Sequence, residues 1–406
     1  MSGLTDFSTL CVQAKTLGIK GTRLKYAGLK DSKAKTTQRI SAYRLTPAEL
    51  ATGLSKANPR WYDGEFIKAN ETETTSAHDH NRTSESAGGS DAQYMRVRIG
   101  NVELVPQGQF VGNLAGNRFT LRLRDVHDQR NTADANQVEH CLNAWQQRGF
   151  INYFGLQRFG TNAAAPTHFV GRALLQKQFK SALRLVMLSS HASAASEAGV
   201  SARSGRSRRF APHVVAVEAA LRNLHPTWWE EFQAAGVVDN IPDTVCRDVL
   251  HHLPSQMTRL YLHSYQSYVW NRIASQLVSE LEASVDEVLV ELARTVLISP
   301  GQNAAEVGDR KTVQDIESVL AEDGLGISDF VTPVMGHALP CQSRQVVVHP
   351  EEVQFRWLSA DPEVAVPDES TSTQKFPHLE LQFSLPSGAY ATCALRELSR
   401  RPIVWD

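Results

Sequence analysis

Hydrophobic residues fall at alternate positions in three parts of this chain. Met95, Val97 and Ile99 alternate with Tyr94, Arg96 and Arg98. Phe119, Leu121 and Leu123 alternate with Arg118, Thr120, Arg122 and Arg124. Leu379, Leu381, Phe383 and Leu385 alternate with Glu380, Gln382 and Ser384. A period of two predicts strands with one buried and one wet face, in an antiparallel or mixed sheet. Elsewhere the spacing is helical. Over 132–148 it places Val138, Cys141, Leu142 and Trp145 on one face, with Gly149 as the stop. Over 262–281 it brings Tyr265, Tyr268, Val269 and Ile273 together, and Thr46-Pro47 predicts a short helix with a hydroxyl cap. Strands and helices do not alternate regularly, so the fold class is α+β rather than a doubly wound parallel sheet.

Three stretches break these patterns. Residues 70–92 carry almost no aliphatic side chains, and such a composition cannot support a packed core. Residues 189–209 are small and polar and end in Arg203, Arg206, Arg208 and Arg209; residues 361–378 mix proline, acids and hydroxyls. The first two are expected to be flexible insertions.

Charge narrows the picture little. The chain has 42 basic and 43 acidic side chains, a net charge of −1, so only local clustering can speak for a polyanionic partner. The strand arginines offer such clustering. If the strands of Arg96 and Arg98 and of Arg118, Arg122 and Arg124 are neighbours, they form a basic floor for RNA. Ordinary pairing with acids across the sheet is the alternative. The five cysteines include no CxxC pair and are expected to be reduced and buried, in an intracellular protein of the nucleus, cytoplasm or an organelle. His78 and His80, and the pair His251 and His252, lack further ligands at metal spacing, so no metal site is expected. No apolar run approaches the ~20 residues of a membrane-spanning helix.

Chemistry concentrates in three segments. "YAGLKDSKAKTTQ", Tyr26 to Gln38, sets one carboxylate, Asp31, among lysines after Gly28. Nearby cations favour the ionised form, which is a nucleophile or a base; a solvated turn explains the same residues. "GFINYFGLQRFGT", Gly149 to Thr161, combines rings, an amide and a guanidinium, the mixture that holds a flipped base. A core aromatic cluster is its plainer explanation. "YLHSYQSYVWNR", Tyr261 to Arg272, is helical yet too polar for a plain core helix, and Ser264, Gln266 and Asn271 are free to serve a site.

Taken in order, these segments resemble the TruD family of RNA pseudouridine synthases. Gly28, Lys30, Asp31, Ala34, Thr36 and Gln38 are similar to its aspartate motif, "NYFGLQRFG" at 152–160 to its second motif, and "YQSYVWN" at 265–271 to its third as the eukaryotic branch writes it. "GNLAGNRFTLRLRDV", "GRALLQ" and "LPSGAYATCALREL" add further matches. The resemblance implies a pseudouridine synthase catalytic core over 1–163 and 340–406, with a TRUD domain inserted at 164–339. It implies isomerisation of uridine to pseudouridine in RNA, without cofactor or metal, in tRNA at the uridine of position thirteen and in other small RNAs or messages. Asp31 is then the catalytic aspartate, Asn152 the amide that orients it, and Phe154 the ring that stacks on the target base. Lys30, Gln38 and Arg158 support the loop or contact RNA. Family members also carry strands and a lysine upstream of the aspartate motif. Only 25 residues precede Tyr26, so these are expected to be missing, and a catalytically impaired RNA-binding factor is the alternative function.

Overall fold

The computed structural model describes residues 20, 23–28, 36–46, 49, 62–67, 97–100, 103–110, 112–124, 126, 135–160, 165–197, 212–235, 238–281, 285–358 and 378–399. The chain divides into two compact units, Met1–Ala115 and Gly116–Asp406.

In the first unit, strand β1 (Leu24–Tyr26) pairs antiparallel with β2 (Ile40–Ala42), and β3 (Tyr62–Ile67) pairs parallel with β4 (Val97–Gly100). The segment 103–110 is tied back to β2 by the Gln109 amide, which donates to Ser41 Oγ at 2.8 Å. Thr46 and Glu49 exchange hydrogen bonds: the Thr46 amide donates to the Glu49 carboxylate at 2.8 Å and the Glu49 amide to Thr46 Oγ1 at 3.2 Å. This reciprocal pair has the pattern of a capping box; apart from Glu49, the helix predicted after Thr46 lies outside the described residues.

The second unit begins with β5 (Gly116–Leu123), helix α1 (Ala135–Arg148) and β6 (Phe150–Ile151). Helices α2 (Thr167–Leu175), α3 (Phe179–Glu197), α4 (Pro212–Leu224), α5 (Pro226–Ala235), α6 (Asp243–Leu250), α7 (Ser255–Glu280) and α8 (Val285–Leu292) follow. The chain continues through β7 (Val296–Ile298), α9 (Ala304–Val307) and α10 (Arg310–Glu322), then β8 (Ser343–Gln345), β9 (Val347–Val348), β10 (Glu351–Leu358), β11 (His378–Pro386) and α11 (Ala391–Ser399). Strand β11 is central, antiparallel to β10 on one side and β5 on the other. Its Leu379, Leu381, Phe383 and Leu385 are buried, as the period of two requires. Phe383 packs edge-on to Trp145 of α1 at 5.3 Å and stacks on Phe119 of β5 at 5.5 Å. These residues form one apolar core; a larger helical core surrounds α7.

Several expectations are corrected. Among the described residues β4 pairs with β3 and β5 with β11, so the two arginine-bearing strands are not paired in one sheet. On the outer face of the β5 sheet the arginines meet acids from neighbouring strands: Arg118 pairs with Glu352, Arg122 lies opposite Glu380, and Arg356 pairs with Glu380 at 2.9 Å. Arg118 and Arg122 of the proposed basic floor thus face cross-strand acids. Cys141 is exposed; Val138, Leu142 and Trp145, at i, i+4 and i+7, make the inward stripe. Residues 189–209 are not all loop, because α3 runs to Glu197. Arg203, Arg206, Arg208 and Arg209 lie outside the described residues. The segment from Tyr261 to Ala274 is buried almost all round, and its polar atoms are paired within the fold.

A partly buried polar junction ties α2, α7 and the end of α10. Asp323 accepts from Arg172 at 2.7 Å and from the Tyr265 hydroxyl at 2.9 Å, and its carbonyl accepts from Gln176 at 2.6 Å. Beside it, His168 stacks on Tyr268 at 4.5 Å. Burial, aided by Arg172, pushes the His168 imidazole down to about 4. Between about 6.5 and about 4 the unfolded chain therefore binds a proton that the folded chain refuses. Stability should fall as pH drops through that window. We expect His168→Gln to show a shallower loss of unfolding midpoint over this range than the unsubstituted chain, measured by denaturant titration at a series of pH values.

Candidate active site

Gly149, at φ +74°, ends α1 in the left-handed region, where glycine carries no Cβ penalty. The turn sends β6 into antiparallel pairing with β9, and the Asn152 amide extends the ladder by donating to Val346 O at 2.7 Å. The chain then leaves the sheet through Tyr153 and Phe154 into a single 3₁₀ turn, Leu156–Arg158. Asn271 of α7 holds this exit from both sides. Its Oδ1 accepts from the Phe154 amide at 2.9 Å and its Nδ2 donates to the Phe154 carbonyl at 3.1 Å.

A cavity of about 380 Å³ opens here, lined among others by Asn152, Phe154, Arg158, Arg344, Ser387 and Tyr390. Arg344, on β8, sits in its wall. Its guanidinium lies 4.1 Å from the Phe154 ring centre, 5.4 Å from Trp270 and 5.8 Å from Tyr390. Nε donates to Asn152 O at 2.8 Å, Nη1 to Gly388 O at 2.9 Å, and Nη2 to Asn152 Oδ1 at 2.6 Å and Tyr153 O at 3.4 Å. Desolvation pushes this guanidinium down to about 10. No described carboxylate pairs with it. Arg158 also approaches Phe154, at 5.6 Å, and its buried Nε has no partner among the described residues. Rings, an amide and two guanidiniums without a lining acid suit a planar ligand that carries negative charge.

Asn152, Phe154 and Arg158 thus share one cavity. Gln38 is in the other unit, where its side-chain amide donates to the Gly28 carbonyl; this supports the backbone between β1 and β2. Lys30 and Asp31 belong to that same connection and lie outside the described residues. Ser264 is a structural tie, donating to Arg158 O at 3.0 Å, and Gln266 donates to Pro300 O at 2.6 Å. Sequence reasoning missed Arg344 and gave no role to Tyr390. Tyr390 lies within "LPSGAYATCALREL" and was within reach of that match; "CQSRQVVV" around Arg344 carries no pattern that points to a site.

The family model for tRNA pseudouridine synthase D (TruD) matches residues 3–60 and 86–296. The chain belongs to the TruD family. That match spans the connection holding Asp31, the cavity segment 152–158 and α7. Among curated proteins, the pseudouridylate synthase 7 homolog of Bos taurus is 26% identical over 415 residues, which cover 95% of this chain and 56% of that protein. The tRNA pseudouridine synthase D of Syntrophotalea carbinolica is 24% identical over 443 residues, 99% of this chain and 88% of that protein. The chain therefore spans about half the length of the pseudouridylate synthase 7 homologs it matches. The crystal structure of a TruD protein from Methanosarcina mazei shares the fold, with a TM-score of 0.52 and 17% identity over 98% of this chain and 86% of that one. The α+β architecture of mixed sheets and helices is thus that of the TruD fold. No described helix of this TruD chain is long and apolar enough to cross a membrane.

Proposed function

We propose that this chain isomerises uridine to pseudouridine within RNA, with tRNA as substrate at a site of the position-thirteen type. The observation that carries this is the cavity of Asn152, Phe154, Arg158 and Tyr390, built from the TruD family's second motif and the segment after β11. In the reaction the N1–C1′ bond breaks and a C5–C1′ bond forms. The C5 proton is lost and N1 gains one. Asp31 supplies the ionised carboxylate that engages the ribose, whether by attack at C1′ or by taking the C2′ proton. Lys30 and Gln38 support its loop.

The energetics fit an extruded base. Flipping a nucleotide out of structured RNA costs a few kcal/mol. Stacking on an aromatic ring such as Phe154 returns ~1–3 kcal/mol, and contacts between phosphates and arginines including Arg158 supply the rest. The purified chain should therefore convert uridine to pseudouridine in unmodified tRNA, read by mass spectrometry or base-specific chemical mapping. RNA affinity should weaken about tenfold or more between 50 and 200 mM salt, as counterion release at several phosphates requires. Salt-sensitive binding with no pseudouridine formed would instead favour an RNA-binding factor.

A further inference from the structure

We infer that Arg344 is a positioning residue of the pseudouridine synthase site, one that fixes the amide of Asn152 and the ring of Phe154 in their working orientations. The inference rests on the proposed function for what the site does, and on geometry for how Arg344 serves it.

Arg344 reaches the site from β8, across 192 positions of sequence from Asn152. Its fork decides which way the Asn152 amide points. The carbonyl end, Oδ1, faces Nη2 at 2.6 Å, and the amino end, Nδ2, donates to Gln345 O at 3.1 Å. Reversing the amide would set two donors against the guanidinium and turn Oδ1 towards a carbonyl. The second Nδ2–H is consequently held in one direction, and no described residue takes it. Asn152 is only 5% exposed, so bulk water is a poor substitute for either contact. The same guanidinium packs on Phe154 at 4.1 Å and holds Gly388 O, in the turn that leads to Tyr390. One side chain thereby links three walls of the cavity.

A direct phosphate contact accounts less well for these facts. Nε, Nη1 and both hydrogens of Nη2 have acceptors within the protein, so four of the five N–H donors of an arginine are in use. The bidentate clamp that makes arginine a strong phosphate ligand needs two parallel donors. The guanidinium gives up solvation for carbonyls and rings, with Arg158 on the facing turn and no described carboxylate to repay it. Lysine would keep the charge and lose the planar fork.

The test uses the full chain with an unmodified tRNA. Arg344→Lys should lower the single-turnover rate of pseudouridine formation about thirtyfold to a hundredfold, the scale of a misplaced reacting group. The Kd for tRNA should stay within about threefold. Arg344→Lys added to Asn152→Ala should cost little beyond Asn152→Ala alone, because the two act as one unit. Asparagine-selective ¹⁵N spectra give a readout independent of activity: the Asn152 side-chain pair, assigned by its loss in Asn152→Ala, should shift in Arg344→Lys. Asn152→Asp keeps an oxygen for Arg344 and removes the N–H; a comparable rate loss is expected there, even if Arg344→Lys does not fold. An unchanged rate, a loss confined to Kd, additive effects, or an unmoved Asn152 resonance would overturn the inference. If the unsubstituted chain forms no pseudouridine, the proposed function fails, and the Asn152 resonance alone decides whether Arg344 sets the amide.

Discussion

Asp31→Ala is expected to lower the rate of pseudouridine formation by at least about a thousandfold, or roughly 4 kcal/mol of transition-state stabilisation. The reason is chemical. Neither attack on a ribose carbon nor removal of a ribose proton can proceed at neutral pH without a group that is ionised and basic there. Alanine offers neither, and water in its place is a far weaker nucleophile. Affinity for tRNA should stay within a few-fold, because loss of one carboxylate removes no phosphate contact. Single-turnover pseudouridine formation and an equilibrium binding titration on the same RNA separate the two effects. A variant that still turns over within tenfold of the unsubstituted chain would remove Asp31 from the chemistry.

Gly171→Ala is expected to destabilise the second unit by about 2–3 kcal/mol, against what helix propensity alone says. Alanine in place of glycine inside a helix ordinarily gains about 1 kcal/mol. Here the added Cβ would stand 2.1 Å from the Tyr261 carbonyl oxygen and 2.8 Å from its carbon. The obstacle is backbone, which cannot rotate away, so α2 and α7 must separate. Overpacking of this kind costs about 1–3 kcal/mol or more, and the rigid obstacle places it at the upper end. Separation would also shift α7, which carries the Asn271 amide that holds Phe154. Denaturant unfolding should show a lower midpoint at unchanged slope. An unchanged or raised midpoint would mean that the helices can part cheaply.

The glycine is also instructive about legibility. "GRALLQ" was readable as a family segment, and Arg172 and Gln176 within it prove to hold Asp323. Nothing local says that Gly171 must be bare because another helix passes within contact of its Cα. The same holds for "YLHSYQSYVWNR". Its polar residues looked available for chemistry, yet Ser264 and Gln266 are buried ties, and Asn271 works by holding the Phe154 backbone.

Strands and helices were legible wherever burial repeats with the local period. The alternation along β11 and the i, i+4, i+7 stripe of α1 needed no knowledge of partners, because a residue's direction is set by its own backbone. The segment 152–158 was legible for a different reason: its rings, amide and guanidinium lie within a few positions of each other. What the sequence by itself determined, then, are properties carried by neighbours along the chain. Only the tertiary structure decided which strand pairs with which, and so that Glu352 and Glu380 face Arg118 of β5 and Arg356 of β10. Only the tertiary structure brought Arg344 onto Asn152 across 192 positions. Both are contacts between distant segments, and no pattern of residues within either segment encodes the identity of the other.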